Sequence, residues 1–107
     1  EARSNQAPDG ATVANDKLAG AVADLNAVRD RSGLAGTPAV TKAGVLLAIE
    51  NERRVEFAFE PHRWFDLVRT GRASAVLNIT DVRKYLMPIP NDQLLIDPAL
   101  GPNNPGY

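Results

Sequence analysis

The sequence has no cysteine, one histidine and no long apolar run. Without cysteine, a disulfide, a thiolate nucleophile and a cysteine-ligated metal site are all excluded, and a single histidine rules out an imidazole-rich metal site. No segment approaches the ~20 consecutive apolar residues that a membrane-spanning helix requires. We therefore expect any membrane attachment to lie outside this segment, and we predict no metal and no cofactor.

The charges are almost balanced, with Lys+Arg 12 against Asp+Glu 13 and a formal net charge of -1. Binding to nucleic acid needs an excess of cations that displace counterions from phosphates, so we predict no nucleic-acid partner. The chain begins with Glu-Ala-Arg-Ser and shows neither a methionine start nor a targeting run. This start leads us to expect a piece of a longer protein.

Most of the chain carries helical patterns. Residues 1–14 lack apolar periodicity and are interpreted as a loop or a truncated connection. Residues 15–78 are predicted to be helical, with a first helix over 16–32 capped by Asn15 and followed by Gly33. Its shared apolar face comprises Leu18, Val22, Leu25 and Val28.

Two further helices are predicted downstream. The second begins at the cap Thr41 and continues to Phe59, and the third begins at Pro61 and stops at Gly71. A brief helical turn over 73–77 is also expected. Residues 79–107 contain too many prolines for a helix or a central strand, and their interleaved apolar residues predict an extended tail that wraps over a hydrophobic surface. The fold class is therefore all-α with an extended proline-rich C-terminal tail.

Two carboxylates fall on the apolar side of the second predicted helix. On a helical wheel, Glu52 and Glu56 share the sector of Val45 and Ile49, which is the side expected to face the core. A buried carboxylate needs a cation or several donors. We predict a structural ion-pair network of these acids with nearby arginines, whose members are Glu52, Glu56, Arg53, Arg63 and Arg69.

Catalytic alternatives can also be written. The pair Glu52 and Glu56 could act as the two acids of a glycosidase, but abundant arginine favours ionised carboxylates, whereas a general acid must keep its proton. His62 and Asp66 could form a triad with Ser74, although no strand-turn-helix elbow surrounds that serine. We favour no catalytic residue.

Two ligand-binding alternatives concern the start of the third predicted helix. His62, Asp66 and Glu60 match no usual zinc spacing, so we predict no metal ligand among them. Trp64 could stack on a sugar ring, but its apolar stripe with Leu67 and Val68 favours a core position.

Three blocks of the sequence resemble the SusD/RagB family. Residues 50–71 resemble its ERR-x-E-[LF]-x-FE core followed by HRWFDL-x-R and a glycine, although Pro61 replaces the glycine usual at the turn. Residues 25–34 resemble its LN-x-VR-x-R-[AS]-GL segment. Residues 85–90 and 103–107 are similar to its YL-x-PIP motif and its terminal N-x-NPGY, so Tyr107 is expected to be the natural C-terminus.

This resemblance implies a SusD-like fold with tetratricopeptide-like helix pairs, in a lipoprotein on the outer face of a Bacteroidetes-type outer membrane. Such proteins capture oligosaccharides or other nutrients and cover a TonB-dependent, SusC-like transporter, and they are not enzymes. Their lipidated cysteine lies at the mature N-terminus. Their ligand contacts lie mainly in loops that precede this region, so no ligand-binding residue is assigned here. The alternatives are a helical protein-interaction module without its own ligand and, more remotely, a glycoside hydrolase.

Overall fold

The structure is a computed structural model that describes residues 1–107. It is helical and has no β-strand, which confirms the all-α prediction. Two 3₁₀ helices, Val82–Tyr85 and Pro98–Leu100, accompany the α-helices. The α-helices are α1 (Ala2–Gln6), α2 (Asp16–Arg31), α3 (Lys42–Glu56), α4 (His62–Arg69), α5 (Ala73–Leu77) and α6 (Asn91–Ile96). The chain forms two compact units, Glu1–Glu60 and Pro61–Tyr107, which are described separately below.

Helix α2 begins and ends where its sequence signals predict. The Asn15 side chain accepts a hydrogen bond from the Lys17 backbone N–H at 3.1 Å, so it satisfies one of the free donors of the first turn. Gly33 follows the helix at φ +71°, the left-handed conformation that ends many helices. Both caps are local, so the sequence alone is sufficient to place them.

The core of the first unit lies between α2 and α3. Leu18 and Leu25 are buried on α2, and Val45 and Ile49 are buried on α3. These spacings of seven and four residues place each pair on one face of its helix. Thr41 caps α3 by accepting a hydrogen bond from the Gly44 N–H at 3.2 Å.

Helix α1 lies where the sequence predicts a loop or a truncated connection. It has five residues and no apolar period, and it is held by packing: Ser4 and Ala7 are buried, and Arg3 forms an ion pair with Asp24 of α2 at 3.5 Å. A side chain at Gly20 would come within 2.8 Å of the Arg3 guanidinium, so this glycine allows the close approach of Arg3. Such tertiary support leaves no periodic signal in the sequence.

The segment after α1 is fastened to the start of α3. The Val13 N–H donates to the Val40 carbonyl and the Lys42 N–H donates to the Ala11 carbonyl, both at 2.9 Å. The Lys42 ammonium adds hydrogen bonds to the Ala7 carbonyl at 2.7 Å and to the Asp9 carboxylate at 2.8 Å. We call this set of contacts, which joins residues 7–13 to residues 40–42, the N-terminal clasp.

The prediction that the second helix continues to Phe59 is wrong. Helix α3 ends at Glu56, and Phe59 stands outside it at φ +69° with its side chain fully exposed. A left-handed residue is needed to turn the chain before Pro61, and no glycine is available in this stretch. An aromatic residue therefore takes a conformation that sequence rules assign to glycine or asparagine.

In the second unit, α4 stops as expected at Gly71, which has φ +68°. Its Leu67 is buried, as is Ala73 at the start of α5. Trp64 is half-buried and meets Tyr85 edge to face, with ring centroids 6.2 Å apart and an interplanar angle of 81°. This geometry suits the ring quadrupoles, and it gives Trp64 a packing partner within its own unit.

The C-terminal residues are less extended than the sequence predicts. Helix α6 and the two 3₁₀ helices occupy part of 79–107, because Pro90 and Pro98 stand at or just before the first position of a helix, where a missing N–H is tolerated. Leu95 and Ile96 are largely exposed. A tail that wraps over a hydrophobic surface remains a prediction.

Two asparagines hold the end of the chain against the proline-rich stretch. The Asn103 side chain accepts from the Ile89 N–H at 2.8 Å and donates to the Ile89 carbonyl at 3.1 Å. The Asn104 side chain donates to the Met87 carbonyl. These contacts, named here the asparagine latch, join residues 85–90 to residues 103–107, the two parts of the C-terminal resemblance.

Replacement of Asn103 by leucine should open this latch. Two hydrogen bonds to Ile89 are lost, and each normally contributes about 1 kcal/mol, so we expect the Ile89 amide to exchange its hydrogen at least about tenfold faster. Hydrogen exchange followed by NMR measures this directly. Asn91→Leu, at an exposed position on α6, is the control. Equal exchange at Ile89 in both variants would contradict the latch.

None of the helices is long and apolar enough to cross a membrane.

Candidate functional site: an ion-paired clamp between α2 and α3

The two carboxylates singled out in the sequence pair with arginines of α2. Arg29 Nη1 lies 2.7 Å from Glu52 Oε2, and only 27% of the arginine side chain and 11% of the glutamate side chain are exposed. Arg31 pairs with Glu56 by a short contact nearer to solvent. These two pairs, each of which joins α2 to α3, are called the clamp.

Arg29 has a second role in the same place. Its Nε donates to the Ala35 carbonyl at 2.8 Å, so one guanidinium holds both α3 and the loop that leads to it. Asn26, one turn earlier on α2, accepts from the Thr37 N–H at 2.8 Å. The loop between the helices is therefore tied to α2 at two points, which fixes where α3 begins.

Sequence reasoning did not name Arg29 and Arg31 as partners of the acids. The predicted cations lie next to Glu52 in the chain or on the following helix, whereas the arginines that pair with the acids lie two positions apart at the end of α2. The loop between α2 and α3 runs back along α2, so the two helices point in the same direction and the last turn of α2 lies beside the last turns of α3. Sequence distance is therefore a poor guide to the ion-pair partners. The pairs Arg29–Glu52 and Arg31–Glu56 span 23 and 25 residues.

The three arginines predicted to join the network occupy different surroundings. Arg53 lies on α3 with its guanidinium carbon 5.0 Å from the centre of the Phe57 ring, a cation–π arrangement. Arg69 pairs with Asp66 on the same helix at 3.0 Å. Arg63 is half-buried on α4. A network of Glu52 and Glu56 with Arg53, Arg63 and Arg69 remains a prediction.

A shallow groove runs beside the clamp within the first unit. Leu25, Val28 and Ile49 contribute its apolar surface, and Glu52 and Glu56 lie on its wall. Both acids are bonded to arginine there, so the oxygens Glu52 Oε2 and Glu56 Oε1 are already engaged. Chemically, this arrangement suits the holding of two helices in register more than the transfer of a proton to a substrate.

The other candidate residues lie in or next to the short helices of the second unit. His62 begins α4, Asp66 is one turn later, and Ser74 is exposed on α5. No group of three or more His, Cys, Asp or Glu side chains is arranged to hold a metal ion. The structure therefore adds no geometric support to the triad or to the metal site.

The helices and their motif residues define a class of protein. The family model of the SusD family matches residues 10–83, which include all of α2, α3, α4 and α5. The chain belongs to the SusD family. Both sides of the clamp lie inside the matched region.

One curated relative supports the same assignment. The chain is similar to the SusD-like protein P2 of Formosa agariphila, with 34% identity over 104 residues that cover 81% of this chain and 21% of that protein. It thus spans about a fifth of the length of the curated relative that it matches. No solved structure matches the chain.

Proposed function

We propose that the chain is part of a cell-surface glycan- or nutrient-binding lipoprotein that delivers oligosaccharides to a TonB-dependent, SusC-like transporter. The observation that carries the proposal is the SusD-family match over residues 10–83. Within that match, the contribution of these residues is structural: the clamp and the packed faces of α2 and α3 hold a helical scaffold. The ligand is bound mainly by other parts of the complete protein.

The proposal places the complete protein on the outer face of the outer membrane, held by a lipid anchor that is not in this segment. Membership of the SusD family supports this location, because its members are typically associated with the outer membrane at the cell surface. It also supports a binding role, because its members are binding proteins of nutrient uptake and not enzymes. The engaged oxygens of Glu52 and Glu56 agree with a role without catalysis. Tetratricopeptide-like pairing of the helices and a sealing C-terminal tail belong to the same proposal.

The partner is tested by co-purification. The complete protein, isolated with its membrane under mild detergent, is expected to bring a TonB-dependent transporter with it. Binding of the purified complete protein to a panel of oligosaccharides, measured by calorimetry, is the second measurement. A transporter without any glycan binding would favour the helical interaction module. If no transporter co-purified and no glycan bound, the proposal as a whole would be overturned.

Catalysis is tested on the same glycan panel. We expect no hydrolysis by the complete protein, and no difference between it and the Glu52→Gln variant. Hydrolysis that disappears in Glu52→Gln while the melting temperature stays unchanged would instead assign the protein to the glycoside hydrolases.

A further inference from the structure

Asp9 is the one aspartate in the sequence that precedes a glycine. The two residues occupy a turn closed by a hydrogen bond from the Ala11 N–H to the Pro8 carbonyl at 3.1 Å. The Asp9 side chain is fully exposed, and no atom lies within 4 Å of the place where a Gly10 side chain would stand. The backbone nitrogen of Gly10 is therefore free of the steric hindrance that a side chain would impose.

This sequence pattern permits an internal ring closure. The Gly10 nitrogen attacks the side-chain carbonyl carbon of Asp9, the new N–Cγ bond forms, the Cγ–O bond breaks, and one water leaves with the amide proton. Water then opens the five-membered imide at either carbonyl, which regenerates aspartate or gives isoaspartate. The net reaction is an isomerisation that consumes no oxidant, reductant or cofactor.

We propose that Asp9–Gly10 is a site of isoaspartate formation and that Lys42 slows the reaction. The Lys42 ammonium donates to Asp9 Oδ1 at 2.8 Å and to the Ala7 carbonyl at 2.7 Å, and only 17% of the lysine side chain is exposed. The lysine is thus held by the fold and keeps the carboxylate in one position. An ionised carboxylate is also a much poorer electrophile than the neutral acid.

The electrostatics of the pair act in the same direction. The hydrogen bond from Lys42, followed by its charge, holds the pKa of the Asp9 carboxyl below its ordinary value of 3.8. Because the pKa of Asp9 is lowered in the folded chain, the stabilisation from the Asp9–Lys42 pair is present at neutral pH and is lost as the pH falls below about 4. At neutral pH the reactive acid form is therefore scarcer than in an unfolded chain.

Isomerisation would alter the N-terminal clasp. Isoaspartate inserts one additional methylene group into the backbone between residues 9 and 10 and moves the carboxylate onto a shorter stem. The contact between Asp9 and Lys42 would then be lost, while the backbone bonds Val13–Val40 and Lys42–Ala11 lie beyond the altered link. An aged protein would thus carry a loosened segment ahead of α2.

The test compares ageing rates at neutral pH. The purified chain and its Lys42→Met and Lys42→Arg variants are incubated, digested and analysed by mass spectrometry with electron-transfer fragmentation, which distinguishes isoaspartate from aspartate. Lys42→Met should form isoaspartate at Asp9 several-fold faster than the unaltered chain. Lys42→Arg keeps the positive charge, so it should retain most of the protection. In Lys42→Met, an NMR titration should show the pKa of Asp9 rising towards its ordinary value.

A second comparison needs no variant. The unaltered chain should isomerise more slowly when folded than when unfolded in urea, because only the folded chain places Lys42 on Asp9. Equal rates in the two states, or equal rates in Lys42→Met and the unaltered chain, would overturn the role of Lys42. Absence of isoaspartate at Asp9 even in urea would overturn the site itself.

Discussion

Leu18→Ala is expected to lower the free energy of unfolding by about 3 kcal/mol. Leu18 is completely buried on α2 in the cluster that includes Leu25, Val45 and Ile49. Truncation of a buried leucine removes apolar contacts and leaves a cavity that the neighbours fill only in part, with typical effects of about 2–5 kcal/mol. Urea unfolding followed by circular dichroism measures the change.

A matched control is available on α3. Val55 is 69% exposed, so Val55→Ala should change the free energy of unfolding by less than about 0.5 kcal/mol. If both variants unfolded at the same urea concentration as the unaltered chain, the assignment of Leu18 to a packed core between α2 and α3 would be wrong. A chain that loses its helical signal entirely on Leu18→Ala would support it, since the first unit depends on this small cluster.

Arg29→Met is expected to destabilise the chain by about 2 kcal/mol. The substitution leaves the nearly buried Glu52 carboxylate without its guanidinium, and breaking a fully buried pair costs about 3–5 kcal/mol. The effect is smaller here because Arg29 is 27% exposed and water can reach the vacated position. Methionine keeps a similar apolar stem, so the loss reflects the charge and the hydrogen bonds to Glu52 and Ala35.

Arg31→Met is the matched variant for this measurement. Arg31 also ends α2 and also pairs with a glutamate of α3, but 68% of its side chain is exposed. Exposed pairs contribute about 0–1 kcal/mol, so Arg31→Met should be much the milder change. Thermal or urea unfolding of the two variants tests the difference, and Arg29→Met combined with Glu52→Gln should destabilise less than the sum of the two single changes. Equal effects of Arg29→Met and Arg31→Met would contradict the assignment of Glu52 as the buried member of the clamp.

The limits of α2 and the start of α3 could be predicted because they depend on local chemistry. Asn15 and Thr41 each cap their own helix, and Gly33 supplies the left-handed residue that follows α2. Family membership could also be predicted, because it rests on ordered motifs and not on packing. Those signals are readable without knowledge of which helices touch.

The remainder depends on contacts between distant parts of the chain. Helix α1 has no pattern of its own, and its place follows from packing at Ser4 and from the gap at Gly20. Glu52 and Glu56 could be singled out from their positions on the helical wheel, yet their partners Arg29 and Arg31 could not be chosen before the path of the loop that runs back along α2 was known. The early end of α3 is followed by the strained left-handed backbone of Phe59. No glycine at this position marks the turn in the sequence.

The asparagine latch also bears on how the chain avoids unwanted β-sheet pairing. Pro88 and Pro90 have no backbone N–H, so Ile89 offers the sole donor of this short extended stretch, and the Asn103 amide occupies it together with the Ile89 carbonyl. An exposed strand edge with open donors and acceptors is a template for another chain. Here a side-chain amide takes the place of that neighbouring strand, so the proline stretch is closed to intermolecular β-addition.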